Sequence, residues 1–204
     1  MDPRFPHPST FVLSASSGGS KSEWAFKFIK YSSHLLNPPP EKIIWCYGIW
    51  QDKFLDYPDI EFRDGIPKPD SFDGLQRIIL IVDNLMDQTN SDVTAIFTKV
   101  SHHRSVTVLY MTQNLFFKNK ELRTITLNAH YLVLFKNIRD VGQVGVLARQ
   151  MYAGKSKLLI EVFKAATSVP FGYLLIDMRP ETLDDYRLRT RVFPGERQEV
   201  FVPK

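Results

Sequence analysis

The chain has 204 residues, a formal net charge of +4 and a hydrophobic fraction of 44%. That suits one α/β domain with a sizeable core and excludes an intrinsically disordered chain, while the small basic excess permits a polyanionic partner without requiring one. The single cysteine, Cys46, excludes an internal disulfide and fits a reducing compartment; no apolar run is long enough to cross a bilayer, and "MDPRFPHPST" lacks the apolar core of a secretion signal.

In chain order, the apolar period alternates between strand-like and helix-like. "TFVLS" reads as a short buried strand. Residues 21–36 read as a helix with Trp24, Phe28 and Leu35 near one face, stopped by "NPPP" at 37–40. "KIIWCYG" is a second strand, in which Cys46 reads as a small buried residue. Residues 49–76, rich in Asp, Pro and Gly, read as an irregular surface excursion. "RIILIVD" is β-branched and uninterrupted, as a strand buried on both faces requires. A helix over "SDVTAIFTKVSHH", with Ser91 as its cap, leads to the strand "SVTVLYMT". A short helix, "NKELRTITLN", and the strand "HYLVLF" follow, then helices near 141–152 and 157–166 and the strand "GYLLIDM". Residues 186–204 alternate as a terminal hairpin. Strands alternating with helices predict a mainly parallel sheet covered on both faces, with ligands beyond the carboxyl ends of the strands. No repeat or linker divides the chain, so residues 1–204 read as a single domain.

Directly after the first strand comes the window Ala15-Ser16-Ser17-Gly18-Gly19-Ser20-Lys21-Ser22. It follows the phosphate-loop pattern G-x-x-x-x-G-K-[ST], in which backbone N–H groups and a helix N-terminus cradle phosphates. Lys21 and Ser22 fit, as phosphate and magnesium residues respectively, and Gly18 and Gly19 give torsional freedom. Ala15 and Ser20 stand where the pattern has glycine. If position 20 needs a positive φ, serine is strained there by roughly 1–3 kcal/mol, unless Gly19 takes the unusual torsion instead.

A phosphate loop needs a carboxylate at the end of a nearby strand to hold magnesium, and Asp83 closes "RIILIVD". The next position, where a general base would sit, is Asn84, an amide that orients water but accepts no proton. Gln88 is a second amide, and Asp87 the other nearby carboxylate. Thr112, Gln113 and Asn114 end the strand "SVTVLYMT", where Gln113 reads equally as a phosphate sensor or as part of a turn. His102 and His103 lack further ligands at zinc spacing. Arg104, Arg123, Arg139 and Arg149 are candidates for an arginine finger, and Arg187, Arg189, Arg191 and Arg197 read as a solvated edge.

The ordered runs "IVDNLMDQ", "FTKVSHHRSVTVLYMTQNLF", "RTITLNAHYLVLFKNIRD", "LARQMY", "GYLLIDMRPET" and "LRTRVFPGE" cover nearly the whole chain. Together they resemble the DNA-packaging ATPases of Maverick/Polinton elements, adintoviruses and related large DNA viruses, in the HerA/FtsK branch of P-loop ATPases. The resemblance implies a three-layer RecA-like P-loop NTPase that forms a homo-oligomeric ring, taken as a hexamer. It implies hydrolysis of ATP with Mg2+ between subunits, driving double-stranded DNA into a preformed capsid. The implied partners are double-stranded DNA and viral capsid proteins, with no membrane. The implied location is the host nucleus or cytoplasm, with virion association during assembly. Carried over, Gly18, Gly19, Ser20, Lys21 and Ser22 bind the nucleotide, and Ser22 and Asp83 hold the magnesium. Lys21, Asp83, Asn84 and Gln113 stand at the catalytic positions, Gln113 as the sensor. Ala15, Ser20, Asn84 and Gln88 depart from that pattern, all at the nucleotide site. A nucleotide-binding relative without hydrolysis, or a DNA- or capsid-binding module, therefore stays open as an alternative.

Overall fold

A computed structural model of the chain describes residues 4–16, 18, 20–85, 91–115, 120–138 and 142–202. Short apolar strands build its sheet. They are β1 (Phe5–Pro6), β2 (Thr10–Ser14), β3 (Leu36–Asn37), β4 (Lys42–Tyr47), β5 (Glu61–Asp64), β6 (Ile78–Asp83), β7 (Val106–Thr112), β8 (Tyr131–Phe135), β9 (Tyr173–Asp177), β10 (Leu188–Thr190) and β11 (Glu199–Val200). Nine of them form one sheet in the order β11-β10-β9-β8-β2-β7-β6-β4-β5, while β1 and β3 pair separately. From β8 to β5 the neighbours are all parallel; β9, β10 and β11 continue the sheet antiparallel. Every residue of β2, β6, β7, β8 and β9 is buried, as interior strands covered on both faces must be.

The two faces carry two separate cores, because side chains alternate along each strand. Helix α1 (Lys21–Lys30) lays Trp24, Ala25 and Phe28 on one face, against Phe11, Leu13, Ile79 and Ile81. The helix expected over 21–36 is interrupted at Tyr31, resumes as α2 (Ser32–Leu35) and ends in β3. On the other face, Ile78, Leu80 and Val82 meet Val93 of α3 (Ser91–Ala95) and Phe97 of the π turn Ile96–Val100, which α4 (Ser101–His103) prolongs. The same core takes Ile125 of α5 (Lys120–Leu127), Leu147 of α6 (Gly142–Met151) and Phe163 of α7 (Ser156–Ala166). Helix, sheet and helix thus make three layers.

Residues 49–76 are not an irregular surface excursion. They hold two 3-10 turns, Asp52–Asp56 and Pro69–Phe72, on either side of β5, which adds a parallel strand to the sheet edge. Phe54 joins the core on the α1 face and Phe72 the core on the opposite face, so the segment straddles the edge and seals both sides. Proline and aspartate mark its turns, but its spaced aromatics decide where it packs.

Candidate nucleotide site

The carboxyl ends of β2, β7 and β6 meet at one level. Ser14 lies opposite Thr112, and Asp83 opposite Met111, so β7 sits between the strand before the loop and the strand that ends in the acid. Asp83 shares its side of β6 with Ile79 and Ile81, the side that faces α1. Alternation therefore aims the carboxylate toward the helix that begins with Lys21 and Ser22.

The loop between β2 and α1 is shaped by its torsions. Gly18 has φ +72°, and a Cβ there would meet nothing within 4 Å, so its torsion and not crowding calls for glycine. Ser20 precedes α1 at φ 67°, ψ 5°, and makes no side-chain capping bond. Serine itself thus takes the left-handed torsion; Gly19 lies outside the described residues. Ala15 fits without difficulty: its methyl is buried in the α1-side core at 1% exposure, and its N–H donates to Thr112 O at 3.3 Å.

Lys21 turns back into the loop. Its Nζ donates to Ala15 O at 2.8 Å and Ser16 O at 3.1 Å. Burial holds its pKa below the ordinary lysine value, and the nearby charge of Asp83 offsets part of that. Asp83, 7% exposed, is pushed above the usual carboxylate range by burial, against the pull of the Trp45 indole N–H and the Lys21 ammonium. The indole N–H faces the carboxylate from outside hydrogen-bond geometry, since Trp45 Nε1 is among the buried polar atoms without a hydrogen-bond partner. Lys21 and Asp83 thus form a half-desolvated pair in which each charge supports the other, although burial dominates for both.

Asn84 follows Asp83 at φ 55°, a torsion that asparagine tolerates better than most residues. Gln113 Nε2 donates to Asn84 Oδ1 at 3.3 Å, which joins the ends of β6 and β7. Gly48 lets the backbone of the Asn84 turn approach closely: a Cβ there would lie 3.1 Å from Asn84 O. Ser22 stands in the first turn of α1, where the N–H groups have no intrahelical acceptor. The structure thus brings Gly18, Ser20, Lys21, Ser22, Asp83, Asn84 and Gln113 to one end of the sheet. Asp87 and Gln88 lie outside the described residues.

The arginines divide differently from expectation. Arg104 is ion-paired with Asp73, Arg123 and Arg149 are exposed on α5 and α6, and Arg139 lies outside the described residues. The tail is a solvated arginine edge only in part: Arg191 and Arg197 are exposed, whereas Arg187 and Arg189 turn inward. Arg189 donates to Asp177 Oδ2 at 3.1 Å, and Arg187 donates to the carbonyls of Asp177 and Arg179 at 3.1 and 2.8 Å. Asp177 is 1% exposed and also takes Arg179 Nε and Nη2 at 3.0 and 2.8 Å. A buried acid at the far end of β9 draws these side chains inward, which alternation along the tail could not reveal.

No known protein family matches this sequence, and no curated protein does. Among solved structures, the chain is similar to a genome packaging NTPase from Sulfolobus turreted icosahedral virus 2, solved in complex with ATP-gammaS. The TM-score is 0.50 at 13% identity, over 89% of this chain and 96% of that one. The class defined by architecture and likeness together is a three-layer RecA-like P-loop NTPase fold, with a mainly parallel central sheet and helices on both faces.

Proposed function

We propose that this chain is an ATP-dependent motor subunit that drives double-stranded DNA into a viral capsid as part of a homo-oligomeric ring. In this reading it belongs with the packaging ATPases of Maverick/Polinton elements and adintoviruses. One observation carries the proposal: Lys21 at the start of α1 and Asp83 at the end of β6 lie within electrostatic reach, at the carboxyl ends of parallel strands. The fold of a solved packaging NTPase supports it.

The residues fit magnesium and a triphosphate. One carboxylate and one hydroxyl, Asp83 and Ser22, suit an ion that keeps several waters and takes its remaining oxygens from phosphate. Bound there, magnesium would neutralise charge on the outer phosphates. Lys21 would exchange the carbonyls of Ala15 and Ser16 for phosphate oxygens. Gln113, just past the end of β7 and so between the other two strands, would orient the attacking water.

A second reading, nucleotide binding without hydrolysis, is favoured by Asn84. Its amide stands beside Asp83, hydrogen-bonded to Gln113, and accepts no proton at neutral pH. One experiment separates the two. ATP turnover is measured with and without double-stranded DNA, with Lys21→Ala as the blank, beside calorimetric ATP binding. The motor gives DNA-stimulated turnover above the blank. Binding without turnover selects the second reading, and the pair Ser20→Gly and Asn84→Asp is then expected to raise the rate. Neither heat nor turnover removes both readings.

A further inference from the structure

Beside the phosphate loop lies a cleft of about 270 Å³, near the lower end of small-molecule sites at roughly 300 Å³. Ser20 forms its inner wall, so the cleft begins where the loop meets α1. Trp24, Phe135 and Tyr173 line it with apolar surface, Glu23, Arg191 and the ion pair Lys27–Glu196 line it with charge, and Phe171 borders it toward the end of α7. It lies on the β8–β9 side of β2, away from Asp83.

Phe171 is the unusual member. It is 76% exposed, and it holds φ +62°, a torsion rare for bulky side chains. Such strain persists only where the surroundings fix it. Here they do. Gly172 packs so closely against α7 that a Cβ would lie 2.6 Å from Ala166 O, and its N–H donates to Val169 O at 3.0 Å. Thr167 Oγ1 donates to Phe163 O at 2.7 Å, and Ser168 Oγ donates to Ala165 O at 2.8 Å, which ties the segment to the helix end. A pinned loop therefore holds an aromatic ring in solvent, at the border of a cleft of mixed apolar and charged lining that reaches the phosphate loop at Ser20. Burial does not explain this ring, since its face contributes little to the core.

We infer that the cleft receives the heterocyclic base of a nucleotide, and that Phe171 is the platform on which the base stacks. This rests on the proposal that the loop binds a nucleoside triphosphate. Continuity through Ser20 sets the geometry: phosphates at Lys21 and a base at Phe171 lie on two sides of one residue. Stacking tolerates any base, because each has a π face. The cleft then supplies affinity with little discrimination between ATP and GTP.

The test is calorimetric binding of ATP, GTP and inorganic tripolyphosphate, each with magnesium, to the full chain and to Phe171→Ala, Phe171→Trp and Phe171→Gly. Phe171→Ala is expected to weaken ATP and GTP about tenfold, about 1.4 kcal/mol, while leaving tripolyphosphate unchanged. Phe171→Trp restores the nucleotides. Phe171→Gly separates base contact from a structural role: it relieves the torsion and raises the melting temperature, yet weakens ATP as alanine does. Equal ATP affinity in the unaltered chain and Phe171→Ala overturns the stacking platform and leaves the phosphate site standing. So does a variant that changes oligomeric state but not nucleotide affinity, which would make Phe171 a subunit contact. An unaltered chain that binds neither ATP nor tripolyphosphate overturns the nucleotide reading and this inference with it.

Discussion

At Ser20 the hydroxyl does no capping and the backbone takes a torsion that L-residues resist. A non-glycine residue there is penalised by about 1–2 kcal/mol, while glycine loses about 0.5–1 kcal/mol more backbone freedom on folding. The difference favours Ser20→Gly by about 0.5–1 kcal/mol, which at this chain length is a rise of roughly 2–3 °C in melting temperature. Ser20→Ala keeps the torsion and gains nothing. Thermal melts of the two variants check the sign, and a glycine variant no more stable than alanine would refute the strain. The sequence posed this choice between Ser20 and Gly19 but could not resolve it, because the torsion depends on where α1 docks. The placement of Lys21, Ser22 and Asp83 at one end of the sheet was legible, since a strand, a loop and a helix in fixed order leave few places for them. Trp45 and Phe171 were not. Trp45 reaches Asp83 across a strand pairing, and an exposed phenylalanine at positive φ has no signature in a linear pattern.

At the scale of the element, β6 and β7 were readable because burial on both faces demands unbroken apolar runs. The segment after β4 was not, since its order comes from three side chains, Phe54, Ile60 and Phe72, that pack onto different parts of the sheet edge. Its irregular composition hides a clamp. Phe72 is 0% exposed in the core opposite α1, and truncating such a ring typically removes about 3–5 kcal/mol. Phe72→Ala is therefore expected to lower the melting temperature by roughly 10 °C. Leu55→Ala, in the same segment but 73% exposed, should stay within about 0.5 kcal/mol. Equal, small effects in both would mean that the segment is the loose excursion its composition suggests. The clamp also bears on the site, because the strand it covers, β4, carries Trp45 toward Asp83 and leads directly into Gly48, which packs against the Asn84 turn.

Over the whole molecule, the candidate nucleotide site and a pair of buried histidines lie at opposite ends of the sheet. Positive φ occurs at both ends: at Ser20, Asn84 and Phe171 beside the carboxyl ends of the parallel strands, where Lys21 and Asp83 are also partly desolvated, and at Arg77 and Ser105 just before β6 and β7. At the other end, two neutral histidines join strands far apart in sequence. His7 Nε2 donates to Ser105 O at 2.9 Å while its Nδ1 accepts from Thr107 Oγ1 at 2.8 Å, which assigns the tautomer from its partners. His130 Nδ1 accepts the Thr10 N–H at 3.2 Å, with the His102 ring 5.4 Å away. Burial is the main cause that lowers both pKa values; His102 and Arg179 add to it at His130, and Arg77 at His7. The sign follows from linkage. The unfolded chain protonates these rings as pH falls below about 6.5 while the folded chain does not, so stability is full above that pH and is lost below it. Asp83 opposes this, because its raised pKa makes the folded chain take up a proton more readily, but it is one group against two. Melting temperature should thus fall from pH 7.5 to 5.5. His7→Gln with His130→Asn should flatten that slope and leave ATP binding at neutral pH unchanged, since both rings lie at the end of the sheet away from Lys21. A slope that survives the double substitution would place the acid sensitivity elsewhere, and a loss of ATP binding would show that the two ends of the sheet are not independent.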